Sequence, residues 1–331
     1  MAAQTELIGI TRNPVPNGAV AGTFTARDGL SIRYARWDTT AARRLGAICL
    51  FQGRTEYIEK YFETITDLRR RGFAVATMDW RGQGGSSRML KNPLKGHVET
   101  FAHYDGDVVT FMSDIVLPDC PPPFYCLAHS MGGHIVLRLA QTKACWWDRI
   151  VLTAPMIAFA GSETKNAALS AAAEIATFLG LGDSYIPGWR RYSPEAQMFE
   201  GNELTSDRLR FERARDVTQA APRLSLGAPT LGWVTAAASS IQAINSAAFT
   251  ESVKVPVLIV ASGNDTIVST LAIERFASCA KNCTHIVLAG SRHEVLQERD
   301  QLREQFWAAF DAYIPGSAGT LRNAGHAAIA F

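Results

Sequence analysis

The stretch that decides the fold is FYCLAHSMGGHIVLRLA, residues 124–140. Its first six residues, FYCLAH (124–129), form a continuous apolar run of the kind a strand buried on both faces requires. The residues from about 131 to 143 carry the spacing of a helix. Ser130 therefore stands at the apex of a strand-to-helix turn, the context in which a serine hydroxyl is held exposed as a nucleophile. In so sharp a turn the chain nearly touches itself, and the neighbours two residues away on each side must be small. Ala128 and Gly132 meet that condition, with Ala128 where such turns usually carry glycine. A small-x-Ser-x-Gly pattern also fits an ordinary turn, so the rest of the chain has to decide.

Outward from this stretch the chain alternates. Residues 22–26 and 31–37 read as short strands around Arg27-Asp28-Gly29, and GAICLF (46–51) is a second fully apolar run. Ile58, Tyr61, Phe62, Ile65 and Leu68 then recur at helical spacing, closed by Gly72. FAVATMD (73–79) is the next strand, and Phe101, Tyr104, Val108, Phe111 and Ile115 mark another helix. RIVLTAP (149–155) follows the helix after Ser130. The rhythm breaks over 156–250, which reads as helical and irregular. It resumes with VPVLIVAS (255–262), a helix at 268–280, THIVLA (284–289), and a last helix in which Leu302, Phe306, Phe310 and Tyr313 share a face. This pattern predicts an α/β fold: a mostly parallel central sheet flanked by helices. Residues 1–155 and 251–314 are expected to form the core, 156–250 a helical cap over the strand ends, and 315–331 a flexible tail.

Composition narrows the class. With 331 residues and 47% apolar side chains the chain can bury a sizeable core, and a net charge of +2 gives no electrostatic case for nucleic acid. The first twenty residues have no basic segment followed by an apolar run, so no secretory signal is read there. Cys49 and Cys126 fall in apolar strands and read as buried thiols of a reducing compartment; Cys279 and Cys283 are close enough to pair locally. A cytoplasmic protein is expected. The uncharged stretch Leu224–Thr250 is too polar for a membrane span and reads as close helix packing, suited to lining a pocket.

A serine hydroxyl needs a base. His293, in GSRHEVLQE just past the last strand, is the best placed of seven histidines. His129 and His134 lie too near Ser130 in sequence to reach its hydroxyl, His97, His103 and His285 lack a strand-end position, and His326 is in the tail. Asp265, in ASGNDTIV, follows the strand at 255–262 and can hold the imidazole tautomer. Ser130, Asp265 and His293 each end a strand, in the chain order of α/β-hydrolases. For an oxyanion, the expected donors are the amides of Met131, which opens the helix, and of Arg54, in the loop after 46–51, where Gly53 lets the backbone turn. The segments call for no cofactor and no metal.

The set QGRTEYIEKY, DWRGQGGSS, AHSMGG, SGNDTIV and SRHEVLQE resembles the monoacylglycerol lipase and lysophospholipase group of α/β-hydrolase-fold serine hydrolases, over roughly residues 20–313. Its first motif usually begins His-Gly, where this chain has Gln52-Gly53. Its D-x-R-G-x-G-x-S motif is matched by Asp79, Arg81, Gly82, Gly84 and Ser86, and Asp79 is read as fixing a loop. The resemblance implies a small-molecule lipid ester as substrate, a lysophospholipid or a monoacylglycerol, and leaves transient contact with a membrane surface open. Trp189, Phe199, Leu231, Trp233, Ile241 and Ile244 offer apolar surface for an acyl chain, although cap packing alone would account for them. Alternatives are a short-chain esterase, an aminopeptidase-like amidase using Glu195, Glu200 or Glu203 to receive an amine, and a non-catalytic binding protein on the same fold.

Overall fold

A computed structural model describes residues 5–141, 145–187 and 198–317. Its strands follow the apolar runs: β1 (Val20–Thr25), β2 (Ser31–Trp37), β3 (Gly46–Phe51), β4 (Phe73–Met78), β5 (Phe124–His129), β6 (Arg149–Thr153), β7 (Val257–Ser262) and β8 (Cys283–Leu288). Among the described residues they form one eight-stranded sheet in the order β1-β2-β4-β3-β5-β6-β7-β8. β2 runs antiparallel to both neighbours, and all pairings from β4 to β8 are parallel. β3, β4 and β7 are buried along their whole length, which is why these runs carry no alternation. β8 is an edge strand with exposed positions and carries the polar Thr284 and His285.

Helices cover both faces: α1 (Phe62–Arg70), α2 (Phe101–Phe111), the short α3 (Leu117–Asp119), α4 (Ser130–Ala140), α5 (Glu163–Ala176), α6 (Arg208–Ala220), α7 (Leu231–Ile244), α8 (Ala247–Ser252), α9 (Thr270–Cys279) and α10 (Asp300–Tyr313). One apolar layer packs around Phe51, Trp80, Phe101, Phe111 and Ile135, the other around Trp37, Phe73, Leu127, Phe306 and Phe310. Sequence expectations shift by a residue or two at the ends. The strands expected at 73–79 and 149–155 stop at Met78 and Thr153, because the residues beyond turn into the loops of the site. The helix expected from 131 to 143 starts at Ser130 itself and ends at Ala140, with 142–144 outside the described residues. The helix expected through Ile115 continues past Phe111 as a wider turn, Met112–Val116. Cys279 and Cys283 are both free thiols. The tail beyond Ser317, with His326, lies outside the described residues, as do Trp189 and Glu195.

The sheet order reverses at β3. β4 lies on one side of it and β5 on the other, so the loops after β3 and β5 splay apart at their carboxyl ends, where open α/β sheets hold ligands. Two buried charge clusters fix what surrounds this point. Arg33 on β2, fully buried, sends Nε to Asp79 Oδ2 at 2.7 Å and forks onto Glu59 at 2.8 and 2.7 Å. Glu63 on α1 receives Arg210 of α6 (2.6 and 2.9 Å), Arg303 of α10 (2.9 Å) and Arg213, joining three helices that are far apart in sequence.

Burial raises the Glu63 carboxyl, but the three guanidinium groups outweigh it and hold it at about 2, below the ordinary 4.5. A carboxyl depressed on folding stabilises above its unfolded value and loses that contribution as pH falls towards the folded one. Glu63→Gln is therefore expected to lower the urea midpoint at pH 7, with the gap to wild type narrowing between pH 4.5 and 2; a gap independent of pH would contradict the assignment.

Candidate active site

Ser130 is reached directly from β5 and is the first residue of α4. Its φ is +51°, left-handed for a residue with a Cβ, so the turn holds the serine in a strained backbone. The sequence makes this feasible at Gly132. A Cβ there would lie 2.4 Å from the Gln52 carbonyl oxygen and 2.9 Å from that of Phe51, which means the first turn of α4 presses on the end of β3. Ala128 is fully buried between Phe51 and Leu152 in the ladder, and the strand accepts its methyl group.

The structure brings Ser130, His293 and Asp265 together. His293 Nε2 lies 2.9 Å from Ser130 Oγ, and its Nδ1 lies 2.7 Å from Asp265 Oδ2. The other carboxylate oxygen of Asp265 accepts the amides of Ile267 (2.8 Å) and Val268 (3.0 Å). Burial opposes ionisation of Asp265, but the His293 hydrogen bond and these two amides lower its pKa below the usual value. An ionised Asp265 accepts from Nδ1–H, which leaves Nε2 as the acceptor for the Ser130 hydroxyl. His129, the residue before Ser130, packs at a tilt on the His293 ring, centroids 4.8 Å apart, but bonds through Nδ1 to Thr153 (3.1 Å). Burial lowers its pKa to about 4, so it stays neutral beside His293.

Met131 and Arg54, the expected oxyanion donors, line one cavity of about 530 Å³ together with Gly53, Ser130 and His293. The Arg54 side chain donates to the Gly227 carbonyl (2.7 Å) and lies over the Trp233 ring (5.2 Å). Gln52 does not face this cavity. Its Nε2 reaches Asp79 Oδ1 at 3.3 Å, and Asp79 also accepts the amides of Ile58 (2.9 Å) and Gly85 (2.7 Å). Asp79 is thus the loop anchor that its motif suggested. The rest of the cavity has a mixed lining. Met156, Phe159, Leu169, Ile186, Trp233 and Val234 supply apolar surface, and Asn202, Glu203 and Glu294 polar groups. Of the candidate cap residues, Trp233 lines the cavity, Leu231 and Ile244 are buried packing, and Phe199 packs on Phe211. Of the candidate amine receptors, Glu203 lines the cavity and Glu200 is paired with Arg208.

Residues that sequence reasoning missed are Glu56, Lys60 and Glu294. Glu56 Oε2 accepts the Gly53 amide (2.5 Å) and the Tyr61 hydroxyl (2.7 Å). The Lys60 ammonium lies 2.9 Å from Glu56 and 2.5 Å from Glu294. Glu56 precedes the helical turn Ile58–Tyr61 that carries Lys60, so no helical spacing marked the pair in sequence.

The parallel sheet, the serine at a strand–helix apex and the strand-end histidine and aspartate define an α/β-hydrolase. The chain belongs to the Hydrolase_4 family, described as serine aminopeptidase, S33, which matches residues 42–300. It is 31% identical over 287 residues to lysophospholipase L2 of Escherichia coli strain K12, covering 85% of this chain and 83% of that protein. It is 28% identical to a probable lysophospholipase L2 of Haemophilus influenzae, over 86% of this chain and 88% of the relative. Among solved structures, a soluble variant of monoglyceride lipase from Saccharomyces cerevisiae, crystallised with a substrate analogue, shares the fold with a TM-score of 0.72 at 18% identity, covering 93% of this chain and 99% of that one. The protein is a serine hydrolase of the lysophospholipase-like kind. No helix among the described residues is long and apolar enough to cross a membrane.

Gly132→Ala is expected to force β3 and α4 apart, costing about 1–3 kcal/mol of stability as overpacking does. Thermal unfolding and esterase rate should fall together, and a variant with unchanged Tm would show that the contact yields.

Proposed function

We propose that the protein hydrolyses carboxylic esters of lipid monoesters, a lysophospholipid or a monoacylglycerol, through an acyl-enzyme on Ser130. The observation that carries this reading is the hydrogen-bonded chain Ser130–His293–Asp265 opening on a cavity with a partly apolar lining. His293 Nε2 takes the Ser130 proton as Oγ attacks the ester carbonyl carbon. The amides of Met131 and Arg54 stabilise the oxygen that becomes negative. Collapse of the tetrahedral intermediate expels the alcohol, which takes the proton from His293. Water then gives its proton to His293, attacks the acyl carbon, and releases the fatty acid while Ser130 recovers its proton. Asp265 holds the imidazole and offsets its charge when protonated. The acyl chain lies along Trp233, Val234 and Ile186, and the head group faces Asn202 and Glu203. Residues 156–250 act as a cap, since α5 and α7 supply part of the apolar lining to a core of 1–155 and 251–314.

Ser130→Ala should lower hydrolysis of p-nitrophenyl butyrate, monooleoylglycerol and lysophosphatidylcholine by about 10³-fold or more and abolish fluorophosphonate labelling. Undiminished turnover would sink the mechanism, and wild-type turnover of short esters alone would sink the lipid substrate.

The same segment carries a surface suited to a lipid interface. Ile175, Phe178, Leu179 and Leu181 are 63%, 89%, 69% and 51% exposed, just past Leu169, which lines the cavity. We read these side chains as the contact through which the enzyme meets a membrane surface. Phe178→Ser with Leu179→Ser should weaken vesicle binding about tenfold or more while leaving p-nitrophenyl butyrate hydrolysis unchanged. Equal vesicle binding by both proteins would remove the surface from the account.

A further inference from the structure

The loop that carries Gly53 and Arg54 follows β3, and the loop that carries His293 follows β8, four strands away in the sheet. A chemical step that needs both must hold them in register to a fraction of an ångström. Between them lies a buried ion trio. Glu56 belongs to the first loop, Glu294 adjoins His293 in the second, and Lys60 sits between the two carboxylates, their side chains 3%, 7% and 10% exposed. Glu56 in turn holds the Gly53 amide, and Gln83 Nε2 donates to the carbonyls of Gly53 (2.9 Å) and Glu56 (3.1 Å). On the other side, Gln297 Nε2 donates to the Lys60 carbonyl (3.2 Å) and the Glu294 amide to the Leu204 carbonyl (2.8 Å).

We propose that Lys60 is a positioning residue: its ammonium clamps the oxyanion loop to the His293 loop through Glu56 and Glu294. The assignment of the two loops to catalysis rests on the function proposed above; the clamp itself does not. An ion pair so deeply buried is a poor source of stability, because removing both charges from water offsets most of their attraction. Its geometry makes sense as a device for register, because the two carboxylates belong to opposite halves of the site and neither can move without leaving the shared cation.

Removing Lys60 leaves two facing carboxylates in a dry site. They can stay close only by sharing one proton, and as pH rises and that proton leaves they repel. Other groups face them. Tyr57 and Tyr61 have phenols held neutral by burial, and His129 is neutral. His293 is common to wild type and variant. Arg210 and Arg215 line the adjoining groove with Lys60.

The test compares wild type, Lys60→Met and Glu294→Gln. Hydrogen exchange of residues 53–57 and 291–295 reads the clamp whatever the substrate is, and kcat on p-nitrophenyl butyrate reads its consequence. Lys60→Met should speed exchange in both segments together and lower kcat about 10- to 100-fold with a smaller change in KM. The ratio of variant to wild-type kcat should fall further from pH 6 to pH 8. Glu294→Gln keeps the Lys60–Glu56 pair, so it should lower kcat several-fold without that pH trend. A folded Lys60→Met with unchanged exchange and a flat ratio overturns the clamp. If Lys60→Met does not fold, unchanged exchange and kcat in Glu294→Gln overturn it. Altered exchange in an enzyme whose esterase activity survives Ser130→Ala would keep the clamp and reject the catalytic assignment.

Discussion

The contact between the first turn of α4 and the end of β3 constrains everything else in this molecule. With the Gly132 Cα so close to the Gln52 carbonyl that no Cβ fits, the helix can leave β5 only at one angle. That angle drives Ser130 into the left-handed region and lifts its hydroxyl above the sheet. A strained residue persists only where its surroundings over-determine it. Here they do: β5 is paired on both sides, α4 is buried along nearly its whole length, and the Ser130 carbonyl accepts the Met156 amide from the segment after β6.

The same crowding explains why buried charge gathers around β3. Once the helix occupies the space above the strand end, the loop 52–56 has to run sideways towards β4 and α1, where its polar groups leave water. Asp79 takes the Ile58 and Gly85 amides and Arg33, while Glu56 takes the Gly53 amide. Burial raises the Glu56 carboxyl, yet Lys60, His129 and Tyr61 bring it to about 2, so it remains an anion able to hold that amide. Gln52 belongs to this framework and not to the cavity. Its side-chain amide donates to Asp79 and its backbone carbonyl accepts from the Trp80 indole (2.8 Å).

How much of this was legible depends on range. Parallel strands buried on both faces are written as apolar runs, so β3, β5 and β7 could be read directly. Ser130 and Asp265 followed because each sits just past such a run, and His293 because it follows the last strand. The Glu56–Lys60–Glu294 trio could not be read, since its second bond spans 234 residues and ordinary surface charges look the same in sequence. His129 was set aside as a base because of its nearness to Ser130, and its ring does turn to Thr153. What the sequence could not show is that the ring also packs on His293. In α5 and α7 the helical periodicity is weak, and α7 is apolar along most of its length, so no pattern separated the residues facing the cavity from those facing the core.

The cavity follows from these two orders of constraint. Its polar lining is built from the rigid part: loops pinned by Asp79, Glu56 and Asn202, whose side-chain oxygen accepts the amides of Leu204 and Thr205 at 3.0 Å. Its apolar lining comes partly from α5, which packs on α7 and whose one buried residue is Ala173. A reacting ester needs fixed donors at its carbonyl but only a dry, adaptable surface along its acyl chain, because apolar contact has no direction. On the function proposed above, the ordered network serves the ester end, where strict geometry is needed, and the apolar lining serves the chain end, where variation can be tolerated. On that same function, discrimination among substrates then falls to the polar lining, where Asn202 and Glu203 face the head group, and not to the length of the pocket.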